Sequence, residues 1–340
     1  MAKTKQQRKP LIPAATSSSS HRKRKADYYD YSLLAVIILL TCFGLIMLYS
    51  TSSYMAELNY GDDMYYFKKQ AAISLACIVA ALAISEVDYH ILTKFTGVLY
   101  GAAAVLMILV KTPLGRSANG ARRWLNLGPL SFQPSEIAKI AVIVCLSYMI
   151  VNMGKKVRTL KGCMTLAGMG GALALFAYVF TDNLSTAIII FCITAGLIFV
   201  AHPQTKPFLI IVGVGIVMII IFVLVLSSSM ETSSNFRLRR ILVWLHPEDY
   251  ASGDGYQTIQ ALYAIGSGGL LGRGLGNSIQ KLGSVPEAQN DMIFSIVCEE
   301  LGIVGGVILL LLFAYLLYRL FFIAQNAPDM FGSLMVTGIF

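Results

Sequence analysis

Eight stretches of this 340-residue chain contain no Asp, Glu, Lys or Arg: 31–56, 70–85, 95–110, 140–154, 162–181, 183–205, 207–230 and 301–318. A helix needs about 18–20 apolar residues to cross the hydrocarbon of a bilayer. Several of these stretches reach that length, and the shorter ones reach it with polar ends. In lipid every backbone polar group must be satisfied internally, which leaves helices as the spanning element for runs of this kind. The composition agrees: 56% of residues are hydrophobic and 13% charged, against about 25% charged in a soluble domain. The chain is expected to be an all-α polytopic membrane protein rather than a soluble core. Its last ten residues, FGSLMVTGIF, start a further apolar run. The expectation is eight complete spans and a truncated ninth, in a natural chain that continues.

Basic residues set the orientation. The tail to residue 31 holds eight Lys/Arg and the loop 151–162 holds four. With the loops on the same side the count is 15, against six in the short loops opposite. The long loop 227–292 counts little, because long segments cross regardless of charge. The N-terminus is therefore expected in the cytoplasm and the loop 227–292 outside. Residues 1–30 are basic, Ser-rich and poor in apolar types, which predicts a disordered tail. It reads as a topology signal attracted to anionic lipid or as a docking segment, and no nucleic-acid partner is expected. Residues 31–340 form the membrane domain. The six cysteines lie in or beside apolar runs with no CxxC pair, so they read as small hydrophobes.

Three places break the apolar pattern. In GRSANGARRWLNLGPLSFQPSEIAKI, residues 115–140, Arg122, Arg123 and Trp124 suit the membrane interface. Pro134 then starts a helix with Glu136 and Lys139 three apart on one face. Such a pair is either a structural ion pair or part of a functional site. In TDNLSTA, residues 181–187, Asp182 reads as a turn with a helix cap or as the wall of a polar cavity. The third place is the long loop. Residues 234–245 have the spacing of a surface helix, and six glycines fall within 266–276. Such glycines either let backbone amides approach phosphate or make a flexible loop. The loop ends in EAQNDMIFSIVCEELG, where Asp291 opens a helix and Glu299 and Glu300 lie inside it. A carboxylate costs about 2.5–3.5 kcal/mol at the centre of a membrane helix even on insertion scales. Asp291 is either an N-cap or a reactive acid. Glu299 follows about 80° around the helix and roughly 12 Å deeper, with Glu300 a further 100° round.

The blocks NGARRWLNLGPLSFQPSEIAK, GYQTIQALYAIGSGGLLGRGLGNSIQK and VPEAQNDMIFSIVCEELG, in this order, resemble the signature blocks of the SEDS family (shape, elongation, division and sporulation). DYSLLAVIILLTCFGLIMLYSTSS resembles its first helix. The stretch GLGNSIQK followed by PEA is similar to the division and sporulation branch. The resemblance covers residues from about 27 to the end. Gln289-Asn290 stands where the family commonly has His-Thr, and Thr181–Thr186 departs from its Pro-Asp-x-Gly-Thr. The resemblance implies a bacterial inner-membrane protein of about ten helices that polymerises lipid II into peptidoglycan. It would work beside a class B penicillin-binding transpeptidase and other division proteins. Lipid II and undecaprenyl-pyrophosphate-linked glycan would be its ligands.

Such a reaction needs one carboxylate base for the attacking sugar hydroxyl, and cations can absorb the charge of the leaving pyrophosphate. The resemblance assigns the base to Asp291. It points to Arg122 and Arg123, with Arg239 and Arg240 behind them, for the pyrophosphate, and to Trp124, Gln257 and Glu287 as further substrate contacts. A divalent cation, Mg or Mn, is a candidate companion of the pyrophosphate. Glu136, Lys139, Glu299 and Glu300 are expected as intramembrane support, with Lys139 a candidate partner for the two glutamates. Two other readings stay open: a lipid II flippase whose path those four residues line, and a scaffold without chemistry.

Overall fold

The computed structural model describes residues 29–118, 121–127, 130–204, 206–228, 236–253 and 255–340. The reading of the N-terminal tail falls on residues 1–28, outside them. The compact unit Ser32–Phe340 carries the fold.

Among the described residues eleven α-helices form, most of them on the apolar runs: α1 (Tyr31–Tyr60), α2 (Tyr65–Ser85), α3 (Ile91–Leu109), α4 (Pro134–Met153), α5 (Leu160–Thr181), α6 (Leu184–Ala201), α7 (Lys206–Ser228), α8 (Phe236–Leu245), α9 (Tyr256–Gly268), α10 (Ile293–Gln325) and α11 (Met330–Ile339). Among the described residues seven of them, α1–α6 and α10, are long and apolar enough to cross a membrane. The expected span over 207–230 forms as the helix α7, which is not among those seven, and the terminal apolar run forms as α11. Pro134 occupies the first turn of α4 as its fixed φ favours. The surface helix expected over 234–245 is α8.

Among the described residues strands enter at one place. Between α3 and α4, β1 (Gly115–Ala118), β2 (Ala121–Leu127) and β3 (Leu130–Phe132) make a three-stranded antiparallel sheet in the order β1-β2-β3. The turn between α5 and α6 forms as expected, with one difference. Asp182 takes a left-handed conformation (φ 49°) that ends α5, while the cap of α6 is Asn183, whose side chain accepts from the Thr186 amide at 3.1 Å.

Among the described residues two groups of buried apolar side chains pack together. Met107 of α3, Leu146 of α4, Leu173 of α5, Ile190 of α6 and Leu334 of α11 belong to the larger. The smaller joins Met47 of α1 and Ala264 of α9 to Val285, Ala288, Ile296 and Val297. It therefore clamps both sides of Asp291.

Helix α10 breaks at Gly302, whose φ of 69° and ψ of −175° are closed to other residues without strain. A break at this depth would leave backbone groups unsatisfied. The turn after α9 supplies their partners. The Arg273 and Gly274 amides donate to the Glu299 and Glu300 carbonyls at 3.0 and 2.9 Å. The Gly269 and Leu270 carbonyls accept from the Ile303 and Val304 amides at 3.0 and 3.2 Å. A Cβ at Gly268 would collide with the Cys298 carbonyl, and one at Gly272 with the Glu300 carbonyl. These glycines of the 266–276 cluster serve close backbone packing against α10.

At the far end of α10 a second polar knot ties two turns. Asp329 caps α11 through the Gly332 amide at 2.7 Å and takes hydrogen bonds from Tyr89 and His90. His90 Nδ1 stands 2.6 Å from Asp88, and its Nε2 stands 3.0 Å from Asp329. The hydrogen bond with Asp88 raises the His90 pKa above its ordinary value, with burial opposing and Asp329 adding to the rise. Burial pushes the Asp329 pKa up, yet Tyr89, the Gly332 amide and His90 together hold it below the usual carboxylate value.

Two outcomes are expected. Gly302→Ala should lower stability by about 1–3 kcal/mol in thermal unfolding of the purified protein, while Gly44→Ala, which meets open space on α1, should not. The stabilising effect of His90 is complete below its ordinary pKa, about 6.5, and is lost as pH rises through the higher folded value. A His90→Asn variant should therefore show a flatter melting-temperature profile above about pH 6.5 than the parent protein.

Candidate functional site

The acids at the start of α10 divide into one that is free and two that are locked. Glu299 and Glu300 are both fully buried. Glu300 accepts from Ser50 of α1 at 2.7 Å and from the Lys281 ammonium at 2.8 Å. Lys281, 7% exposed, also donates to Ser50 Oγ at 3.0 Å and to the Gly276 carbonyl at 2.7 Å. All three ammonium protons thus have an acceptor. Glu299 accepts from Ser278 Oγ and from the Ile279 amide at 3.1 Å, with the Arg273 guanidinium 3.6 Å away. The network joins α1, the turn 273–281 and α10.

Lys139 is not part of it. Its ammonium lies 2.8 Å from Glu136, three residues back on α4. The expected intrahelical pair forms, and the expected link from Lys139 to Glu299 or Glu300 does not. The partner is Lys281, which sequence reasoning counted only as a loop cation. The signal that could have found it was present: two adjacent acids in an apolar helix demand a cation, and the preceding loop offers only Arg273 and Lys281 after residue 240.

Asp291 lies one residue before Met292, the N-cap of α10, and no side chain caps that helix. The capping alternative therefore falls. Asp291 is exposed, and among the described residues its carboxylate accepts no hydrogen bond. The segment that carries it is held from within. The Glu287 carbonyl accepts from the Asn290 and Met292 amides at 2.9 and 3.4 Å, and the Glu287 carboxylate from Asn290 Nδ2 at 2.7 Å. Glu287 takes a left-handed φ of 53° to close this turn. Val285 and Ala288 plug it into the smaller apolar group.

The remaining expected contacts lie on other elements. Arg122, Arg123 and Trp124 sit on β2, where Arg122 and Trp124 are exposed. Arg123 donates to the Asp182 carbonyl at 3.4 Å, and Lys111 pairs with the Asp182 carboxylate at 2.9 Å. Neither Arg122 nor Arg123 is bonded to the Asp291 segment. Arg239 and Arg240 lie on α8, with Arg240 exposed, and Gln257 is half-buried in the first turn of α9. Among the described residues no three His, Cys, Asp or Glu side chains converge on a point.

The profile of a family described as cell cycle protein, that of FtsW, RodA and SpoVE, matches residues 30–340. The chain belongs to this family. It is 34% identical over 312 residues to the "Probable peptidoglycan glycosyltransferase FtsW" of Trichlorobacter lovleyi, covering 92% of this chain and 80% of the relative. To the stage V sporulation protein E of Bacillus subtilis it is 35% identical, covering 91% and 83%. Two solved structures share the fold at 24% identity. One, described under structural coordination of polymerization and crosslinking by a peptidoglycan synthase complex, aligns with a TM-score of 0.69 over 91% of this chain and 82% of the other. The rod shape determining protein RodA of Thermus thermophilus aligns at 0.61 over 92% and 81%. The family is that of multi-pass helical membrane proteins, as the spans here require.

Removing one member of a buried ion pair strands its partner and costs about 3–5 kcal/mol. Lys281→Met should lower stability by that amount in thermal or denaturant unfolding. The double variant Lys281→Met/Glu300→Gln should recover part of the loss, because no unpaired charge is then left inside.

Proposed function

We propose that this protein is a peptidoglycan glycosyltransferase that polymerises lipid II into glycan strands at cell division, with Asp291 as general base. Relatives that align over 92% and 93% of the chain, at 34% and 32% identity, are named "Probable peptidoglycan glycosyltransferase FtsW". The observation that carries the catalytic assignment is the contrast among three neighbouring acids: Glu299 and Glu300 are consumed by internal partners, and Asp291 is exposed with none.

The step is a displacement at an anomeric carbon. The acceptor 4-hydroxyl loses its proton to the Asp291 carboxylate as its oxygen bonds to the anomeric carbon. The bond from that carbon to the pyrophosphate oxygen breaks, and its electron pair leaves with undecaprenyl pyrophosphate. Arg122 and Arg123, with Arg239 and Arg240, would take the pyrophosphate charge, since planar guanidinium forks match phosphate oxygens. Trp124, Gln257 and Glu287 would contact the remainder. The membrane is the bacterial inner membrane, with the N-terminus cytoplasmic and Asp291 on the outer side where strands are assembled. The likeness to the synthase complex supports a penicillin-binding transpeptidase as partner, here of class B and within the division machinery.

The geometry favours this reading over a lipid II flippase. A transport path through Glu136, Lys139, Glu299 and Glu300 needs accessible charges on one wall. Here Glu299 and Glu300 are fully buried and enclosed by Ser50, Ser278 and Lys281, which takes them out of any such wall.

Loss of a general base typically costs about 10²–10⁴-fold in rate. Asp291→Asn in the full-length protein should reduce strand synthesis from lipid II by that factor, with unchanged thermal stability and lipid II binding. Near-normal synthesis by this variant would remove Asp291 from the chemistry.

A further inference from the structure

A cavity of about 420 Å³ lies between α1, α2 and the residues that flank Asp291 in the chain, Gln289, Asn290 and Ile293. Such a volume lies within the range of small-ligand sites, about 300–1,000 Å³. Its polar lining comes from five residues: Thr41 of α1, Gln70 and Ser74 of α2, and Gln289 and Asn290 immediately before Asp291. No charged side chain lines it.

Gln70 and Ser74 are four residues apart and so share one face of α2. No residue of α2 is buried; on this face, opposite α1 across the cavity, Gln70 is exposed and Ser74 half-buried. Polar groups on a membrane helix ordinarily turn towards a partner or a water-filled cavity, and they mark binding paths. Among the described residues the side chains of Gln70, Ser74 and Gln289 make no hydrogen bond. Asn290 uses only its amide nitrogen, on Glu287. The Thr41 hydroxyl donates to the Ile37 carbonyl, which leaves its oxygen lone pairs. The cavity therefore offers two complete carboxamides, a hydroxyl and further acceptors, all neutral and unspent.

We infer that this cavity is the subsite for the acceptor sugar, and that it selects an uncharged N-acetylated amino sugar through Gln70, Ser74 and Gln289. The inference rests on the reading of Asp291 as base. A base must stand next to the hydroxyl it deprotonates, so the sugar beside Asp291 is the acceptor rather than the donor. The lining agrees with that assignment. Pyrophosphate wants cations, and the cavity has none, whereas ring hydroxyls and an acetamido group exchange hydrogen bonds well with carboxamides. The leucines of α1 that complete the lining suit the apolar face of a sugar ring.

The test uses the full-length protein and a lipid-linked glycan donor whose terminal 4-hydroxyl is capped, so that it donates only. Lipid II is then titrated as acceptor, alongside a form lacking the acetyl group on its non-reducing sugar. Gln70→Leu and Gln289→Leu should each raise the KM for lipid II about tenfold, the equivalent of about 1.4 kcal/mol, with a smaller change in kcat. They should also shrink the preference for the acetylated acceptor. Gln70→Asn should restore part of that preference, which a purely structural role would not do. Ser74→Ala gives the same reading at lower amplitude if a leucine variant fails to fold. Unchanged KM and unchanged preference in folded variants would overturn the subsite while leaving the role of Asp291 intact. A parent protein that makes no strands from these substrates would overturn both.

Discussion

The Lys281–Glu300 ion pair is the interaction on which the site depends. Ions taken out of water lose several kcal/mol of hydration each, and their attraction repays this only when geometry and hydrogen bonding are complete. Here they are complete. Ser50 Oγ donates to Glu300 and accepts from Lys281, while the Gly276 carbonyl takes the remaining proton. The pair links residues 231 to 250 positions apart in the chain, from α1 to the turn after α9 and to α10. A loop of 66 residues, 227–292, would otherwise present Asp291 on a loose tether. Pinned at Ser278 and Lys281, and plugged by Val285 and Ala288, its last part becomes a short rigid lead into α10.

The break at Gly302 belongs to the same construction. Just before it, the carbonyls of Glu299 and Glu300 receive the amides of Arg273 and Gly274, while the side chains of the same two residues hold Ser278 and Lys281. Backbone and side chains of one dipeptide thus grip the same turn. Glycine is required at 268, 272 and 302 because two backbones approach too closely for a Cβ. The result leaves a single acid of the cluster exposed, which is what a proton acceptor for a membrane-anchored substrate requires.

Much of this was legible in the sequence, in proportion to how local each feature is. Charge-free runs of membrane length predicted the spans, Pro134 marked the start of α4, and the three-residue spacing of Glu136 and Lys139 predicted their pairing. The alternation in 234–245 predicted α8. The partner of Glu300 was not legible by spacing, because periodicity compares residues a few positions apart and Lys281 meets Glu300 through a folded turn. The sheet β1–β3 was missed because its strands are three to seven residues long and lie between glycines and prolines that read as loop. The glycine cluster was ambiguous for a related reason: close packing of two backbones leaves the same composition as flexibility. The family resemblance identified the chemistry, which spacing could not.

If internal charges hold the segment presenting Asp291, amide hydrogen exchange will register their loss along it. In the full-length protein the Ile279, Lys281 and Val285 amides, bonded to Glu299, Ser278 and the Gln280 carbonyl, should exchange slowly. In Lys281→Gln the same amides should exchange at least tenfold faster, together with those of Asn290 and Met292, while α4–α6 remain unchanged. Equal protection of residues 278–292 in the parent and in Lys281→Gln would contradict the account.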